Sequence, residues 1–420
     1  MAIYAFSDGI SKAMPFLVFP IVAYYLTPGE FGLVSNFNVL CQVLFAFTLL
    51  NTPTYLTVVY YKTKKEEQSS LVFNIFCLIG ILLTISLALT MLLNNVIFKY
   101  TELTIKWQLY ALIWVFFNCA IYIYQAKLRL DEKVKQFGIY QFVQSFISAV
   151  FTLLFVVLLK WGWQGRVESL VLTNVAIGGF ALFILYHENI IVAKFDWKQI
   201  KQVFIFGIPL LPHTLSFWLK GGLDKIYITN TISIAENGIF SFAGILASIF
   251  FMITNAFFSA YTPYLFKTLA STDLIGVESE KRNIKIRLLK QVKYFILIYV
   301  AANIIGYFAI KVIIQLFFLK NYGAAVKFIP WLQLGGFFGM FYSIFSSYVF
   351  YTKSTKMLGV ITISTALLQA LLSYFAVVHY GVMGIIITSV FINLLMALLV
   401  GIQSSKVYPM PWKYLFNPFL

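Results

Sequence analysis

The chain has 420 residues, with Lys+Arg 31 against Asp+Glu 15, 61% hydrophobic and 11% charged residues, and a mean hydropathy of +0.86. An ordinary soluble domain carries about 25% charged residues, so a soluble globular protein is excluded. Apolar runs of about 20 residues, enough to cross a bilayer, recur along the whole chain without the two-residue alternation of a transmembrane barrel. The fold class that follows is an all-α polytopic membrane protein, since helices are the remaining way to satisfy the backbone in lipid.

In chain order, the runs between charge clusters predict spans near 6–26, 31–60, 71–98, 107–126, 137–159 and 167–187, then near 203–231, 237–266, 291–318, 328–351, 357–378 and 382–404. These make about twelve transmembrane helices in two six-helix bundles, 1–187 and 203–420, joined by a cytoplasmic linker, 188–202. Alternate loops differ in charge: 21 Lys and Arg fall in one set and 7 in the other, which puts the first set and both termini in the cytoplasm. Topology thus accounts for the formal +16, and no nucleic-acid partner is expected. The first apolar run shows no cleavage-site pattern and reads as a retained helix. Cys41, Cys77 and Cys119 sit inside apolar runs, far from any ligand spacing, so neither a metal nor a cofactor is expected. No outward loop exceeds about a dozen residues, too short for an external catalytic domain. The chain reads as a non-enzyme.

Two turns repeat. Glu30-Phe31-Gly32-Leu33-Val34-Ser35 lies between the first two spans and Glu236-Asn237-Gly238-Ile239-Phe240-Ser241 between the seventh and eighth, at an offset of 206; Tyr61-Lys62-Thr63 and Phe266-Lys267-Thr268 match at 205. Halves repeated in one orientation imply a pseudo-two-fold axis along the membrane normal with a central cationic cleft. A local explanation also fits, with Gly supplying backbone angles that other residues avoid.

Three segments in this order carry a family resemblance: Ser11-Lys12-Ala13-Met14-Pro15-Phe16-Leu17 through Pro20 and Tyr25-Leu26-Thr27 to the Glu30 turn; Gly207-Ile208-Pro209-Leu210-Leu211-Pro212-His213 followed by Asp224-Lys225; and Tyr351-Thr352-Lys353-Ser354-Thr355-Lys356. The chain resembles, over nearly its whole length, the polysaccharide repeat-unit flippases (Wzx type) of the multidrug/oligosaccharidyl-lipid/polysaccharide exporter superfamily. Lys225 replaces a usual Arg, and Ser354 departs from a loop that commonly reads Lys-Lys-Thr-Lys. The resemblance implies translocation of an undecaprenyl-pyrophosphate-linked oligosaccharide, an O-antigen or other surface-polysaccharide repeat unit, from the inner to the outer leaflet of the bacterial cytoplasmic membrane. It implies alternating access driven by an ion gradient, contact with membrane lipids, and partnership with a polysaccharide polymerase and a chain-length regulator. The absence of a Walker A sequence agrees with transport that hydrolyses no ATP. A drug/cation antiporter of the same superfamily, a lipid II flippase (usually with two further C-terminal spans) and a membrane enzyme are the competing readings.

A charged, hydroxylated headgroup meets a penalty of several kcal/mol, on the order of 2–7 per unsatisfied polar group, in hydrocarbon. Ionisable residues inside spans are therefore the first candidates. Asp8 and Lys12 stand one helical turn apart on the first span; Lys220 and Asp224 do so on the seventh, with Lys225 adjacent and Pro209, Pro212 and Gly221-Gly222 interrupting the helix. Lys12, Lys220, Lys225 and Arg129 are the candidate cations for substrate. Asn38, Gln42, Gln141 and Gln144 are candidate polar lining, the last two continued by Ser148 and Thr152 at helical spacing. Asp8, Asp224 and His213 are candidates for coupling or gating. Each has a structural alternative: snorkelling or pairing for Lys12, a salt bridge at Lys220, interhelical hydrogen bonds for the amides, and topology signalling for Arg129 beside Lys127, Lys133 and Lys135.

Overall fold

A computed structural model describes residues 2–63 and 65–416, with side chains from residue 14 onward except at 65, 66, 217 and 416. Asp8 and Lys12 therefore lie outside the residues whose side chains are described. The regular elements among the described residues are helices: α1 (Ala2–Tyr25), α2 (Pro28–Leu49) continued by α3 (Thr52–Val59), α4 (Lys65–Leu92), the short α5 (Asn94–Thr101), α6 (Ile105–Leu130), α7 (Val134–Thr152) with a π-helical tail to Leu158, and α8 (Gly162–His187). Then come α9 (Trp197–Gly207) and α10 (Leu211–Thr231), an apolar pair with a 49° bend between its parts Trp197–Ser216 and Trp218–Thr231. After them follow α11 (Ile234–Asp273), α12 (Glu278–Ile313), α13 (Leu319–Tyr322), α14 (Ile329–Tyr351), α15 (Thr355–Val407) and α16 (Lys413–Phe416). The 53-residue α15 is broken at Gly381, whose φ of 60° and ψ of −150° suit glycine almost alone, so it serves as two spans. Eight helices among the described residues are long and apolar enough to cross a membrane, nine if the bent pair counts as one span.

Packing divides the chain into two units, Met1–Gly238 and Ile239–Leu420. The interior of the first is apolar, with Ile75, Val115, Ile123, Ala181 and Val203 from α4, α6, α8 and α9 buried in one cluster. Lipid is as apolar as these side chains, so their burial supplies close packing, and polar ties add much of the specificity. One such tie is Asn74 of α4. Its Nδ2 donates to the Lys194 carbonyl (3.0 Å) and to Gln199 Oε1 (2.9 Å), and its Oδ1 accepts from the Asp196 N–H (2.9 Å). The stretch 188–202 is thereby fastened along α4, and Asp196 caps α9 by accepting from the Lys198 N–H.

The start of α2 is set by its sequence. Thr27 accepts from the Glu30 N–H, Glu30 accepts in return from the Thr27 N–H at 2.9 Å, and Pro28 takes the first turn, where no N–H is needed. This turn meets its repeat directly. A Cβ added at Gly32 would lie 2.1 Å from the Ile234 carbonyl oxygen, and one added at Gly238 would lie 1.8 Å from that of Pro28. Pro28 and Ile234 are themselves 206 apart, so each glycine faces the other turn at equivalent positions, the reciprocity of a two-fold contact. Backbone angles are not the reason for these glycines, contrary to the local explanation: both are helical, and the positive-φ glycines are Gly162 and Gly381. Close chain approach requires them.

In the second unit α14 packs on α15 around Val349, Leu358, Ile361, Met396 and Val400. Tyr351 and Tyr408 both donate to Asp273, at 2.6 and 2.8 Å, and Lys285 donates to the Pro409 carbonyl at 2.9 Å. These bonds tie the segment after α15 to α11 and α12.

Candidate functional site: the charged stretch of a broken span

Pro209 and Pro212 remove backbone donors in the seventh span and leave a 3-10 turn at Ile208–Leu210 between α9 and α10, two turns before the 49° bend between Ser216 and Trp218. The second span breaks at the same place in the packing. Leu50 and Asn51 are left-handed (φ 44° and 55°), and a Cβ added at Gly207 would stand 2.3 Å from the Leu50 carbonyl oxygen, so the two breaks nest. From there α10 is stitched to α2. Asn51 donates to Thr214 (3.1 Å), the Trp218 indole N–H to the Val39 carbonyl (3.1 Å), and Asn36 to Thr229 (3.2 Å). Gly222 leaves room for that indole, since a Cβ there would be 2.7 Å from Trp218 Nε1.

Between Trp218 and Thr229 the charged residues emerge. Asp224 is buried at 3% exposure, while Lys220, one turn before it, and Lys225, beside it, are half-buried. One carboxylate stands against two lysines, so these three residues carry a formal charge of +1. In a span, such a group attracts anions. Asp224 is also a carboxylate able to exchange a proton or hold a small cation.

The other candidates fall elsewhere. His213 is exposed on the first turn of α10, Asn38 is half-buried and Gln42 exposed on α2. Gln144 accepts from Gln125 of α6 at 3.4 Å, and the buried Gln141 Oε1 has no hydrogen-bond partner. Arg129 is exposed, with its guanidinium 5.5 Å from the centre of the Phe137 ring. Its basic neighbours are partly neutralised: Lys133 pairs with Glu188 at 3.6 Å, and Lys127 bonds Asp131 at 2.5 Å while also donating to Tyr60. Tyr60 in turn donates to Asp131. Burial by itself raises the Asp131 carboxyl, but hydrogen bonds from Lys127 and Tyr60 and the charges of Lys127 and Lys133 outweigh it and hold the group below the ordinary range.

Two features escape the sequence reading. At the repeated turns, Asn36 donates to the Thr101 carbonyl (2.9 Å), an orphan at the end of α5, and accepts from Asn237 (2.8 Å), which also donates to Thr229 (3.1 Å). Asn36 and Asn237 are fully buried. Asn237 sits inside the repeated turn, so the offset of 206 could have drawn attention to it. The second feature is Arg166, which reads as an outer-loop charge in sequence but donates to Thr152 of α7 at 2.6 Å.

Together, an all-α polytopic fold, a broken span and a half-buried charged stretch define a membrane protein of transporter architecture. Solved structures agree on the fold. An inward-facing multidrug resistance MATE family transporter of the MOP superfamily superposes with a TM-score of 0.76 at 15% identity, covering 94% of each chain. The lipid II flippase MurJ in an inward closed conformation superposes at 0.77 with 12% identity, covering 99% of this chain and 89% of that one. The polysaccharide biosynthesis protein family matches residues 1–269, and the chain belongs to that family. Two proteins of Haemophilus influenzae are similar: Lsg locus putative protein 1, 24% identical over 287 residues (66% of this chain, 68% of that protein), and an uncharacterized membrane protein, 22% identical over 276 residues (64% and 65%). The chain spans about two thirds of the length of each.

Proposed function

We propose that this chain is a flippase for an undecaprenyl-pyrophosphate-linked oligosaccharide, carrying the repeat unit of a surface polysaccharide from the inner to the outer leaflet of the bacterial cytoplasmic membrane. Both termini lie in the cytoplasm, and the halves 1–187 and 203–420 rock about the linker 188–202 in alternating access. The observation that carries the reading is the pair of half-buried lysines, Lys220 and Lys225, held around the buried Asp224 inside a span. The lysines receive the diphosphate, whose charge hydrocarbon would reject. Asp224, with Asp8 as a second carboxylate, couples the cycle to a proton or sodium gradient.

A drug/cation antiporter is the second reading, favoured by the buried carboxylate of Asp224 and opposed by the two lysines beside it. Proteoliposomes loaded with the lipid-linked oligosaccharide test the first. Outer-leaflet accumulation should follow an imposed ion gradient and be lost in Lys225→Met. Transport indifferent to that substitution, together with increased drug susceptibility of a deletion strain, would favour the antiporter.

A further inference from the structure

Arg166 stands in the second turn of α8, close to the positive end of the helix dipole, where a cation is disfavoured. It is half-buried within a span. Among the described residues no carboxylate lies within ion-pair distance of it. Glu168, two residues on, bonds Lys106 at 3.7 Å, and Glu30, whose Oε1 would face a Cβ added at Gly162, accepts two hydrogen bonds from Thr27 at 2.9 Å each. The guanidinium instead meets neutral hydroxyls, Thr152 at 2.6 Å and Ser169 at 3.5 Å, both through the same nitrogen.

Those hydroxyls are oriented for the task. Thr152 also stands 2.6 Å from the Ser148 carbonyl, Ser169 stands 2.7 Å from the Arg166 carbonyl, and the two hydroxyls lie 3.1 Å apart, so the guanidinium, which can only donate, meets a lone pair on each. The remaining guanidinium donors have no acceptor among the described residues, and the planar fork is built for two oxygens of one oxyanion. The wall beside it is the π-helical tail of α7, a distortion frequent at functional sites, and α8 approaches it so closely that a Cβ at Gly165 would lie 2.9 Å from the Phe155 carbonyl oxygen.

We propose that Arg166, with Thr152 and Ser169 holding its fork, binds a small oxyanion, a carboxylate or phosphate group, within the first unit and apart from the charged stretch of α10. The anion supplies the counter-charge that the described residues do not. Its chemistry is common to an acidic sugar, a lipid phosphate and free phosphate. The test uses the full chain in detergent titrated with glucuronate, inorganic phosphate and a short-chain phosphatidic acid, with glucose as the uncharged control. Trp161 and Trp163 fluorescence and the anion-induced rise in melting temperature report binding. At least one anion should bind saturably and glucose should not. Arg166→Gln should weaken that binding about tenfold or more, Arg166→Lys and Thr152→Val by less, and the exposed Arg287→Gln not at all. The tightest anion identifies the source. Binding by none of the three, or equal binding to wild type and Arg166→Gln, overturns the site. If Arg166→Gln does not fold, equal affinities in Arg166→Lys, Thr152→Val and wild type do so.

Discussion

Two polar clusters share α10, and they are built on opposite principles. Near its end, Thr229 joins Asn36 and Asn237 in a fully neutral network of short hydrogen bonds, buried from solvent. Within the preceding two and a half turns, Lys220, Asp224 and Lys225 set two half-buried lysines around one buried carboxylate. A satisfied neutral network fastens helices at little cost, whereas charge within a span costs about 3 kcal/mol per ion on insertion scales. Under the proposed function, the neutral, outer cluster fastens helices and the charged, inner one serves transport.

Substitutions can separate the two. The largest effect is expected on the inner cluster: Lys225→Met or Asp224→Asn should reduce transport at least about tenfold, equivalent to about 1.4 kcal/mol on the barrier, with an unchanged melting temperature. At the turns, Gly238→Ala and Gly32→Ala should lower stability by about 1–3 kcal/mol through overpacking, read as a melting shift in detergent. Gly80→Ala and Gly244→Ala, where an added Cβ meets nothing within 4 Å, should show no loss. Asn36→Ala leaves buried partners unmatched and should cost about 1–3 kcal/mol, with transport falling only as far as protein level falls. An Asn36→Ala protein that is stable yet inactive would break the division.

The smallest effect belongs to Asp131. Because its carboxyl is held below the ordinary value, its pairing stabilises the protein above about pH 4, the unfolded value, and is lost as pH falls through the lowered one. Asp131→Asn should flatten the acid side of a stability profile. Parallel profiles for wild type and variant would show that the Lys127 and Tyr60 bonds contribute nothing.

The spans are legible in sequence because lipid demands long uncharged runs, and even the Gly381 break falls between two expected spans, 357–378 and 382–404. The repeat is legible as Glu-x-Gly at an offset of 206, but its physical reason is not, since close approach of two chain segments leaves no mark beyond the glycines themselves. Lys220, Asp224 and Lys225 are found by charge inside an apolar run. Asn36 and Asn74 are not, because one uncharged amide in a helix looks alike whether it faces a partner helix or a cleft. Arg166 reads as a loop charge because it lies one turn inside α8, within the error of any boundary drawn from hydropathy.

Whether the inner cluster meets a watery path is best measured by thiol labelling. In a chain with Cys41, Cys77 and Cys119 replaced by alanine, a cysteine at position 220 should react with a membrane-impermeant maleimide, and a polyprenyl diphosphate should block the reaction, while a cysteine at position 237 stays unlabelled. A cysteine at 220 that no aqueous reagent reaches, or that reacts equally with the diphosphate present, would contradict the account.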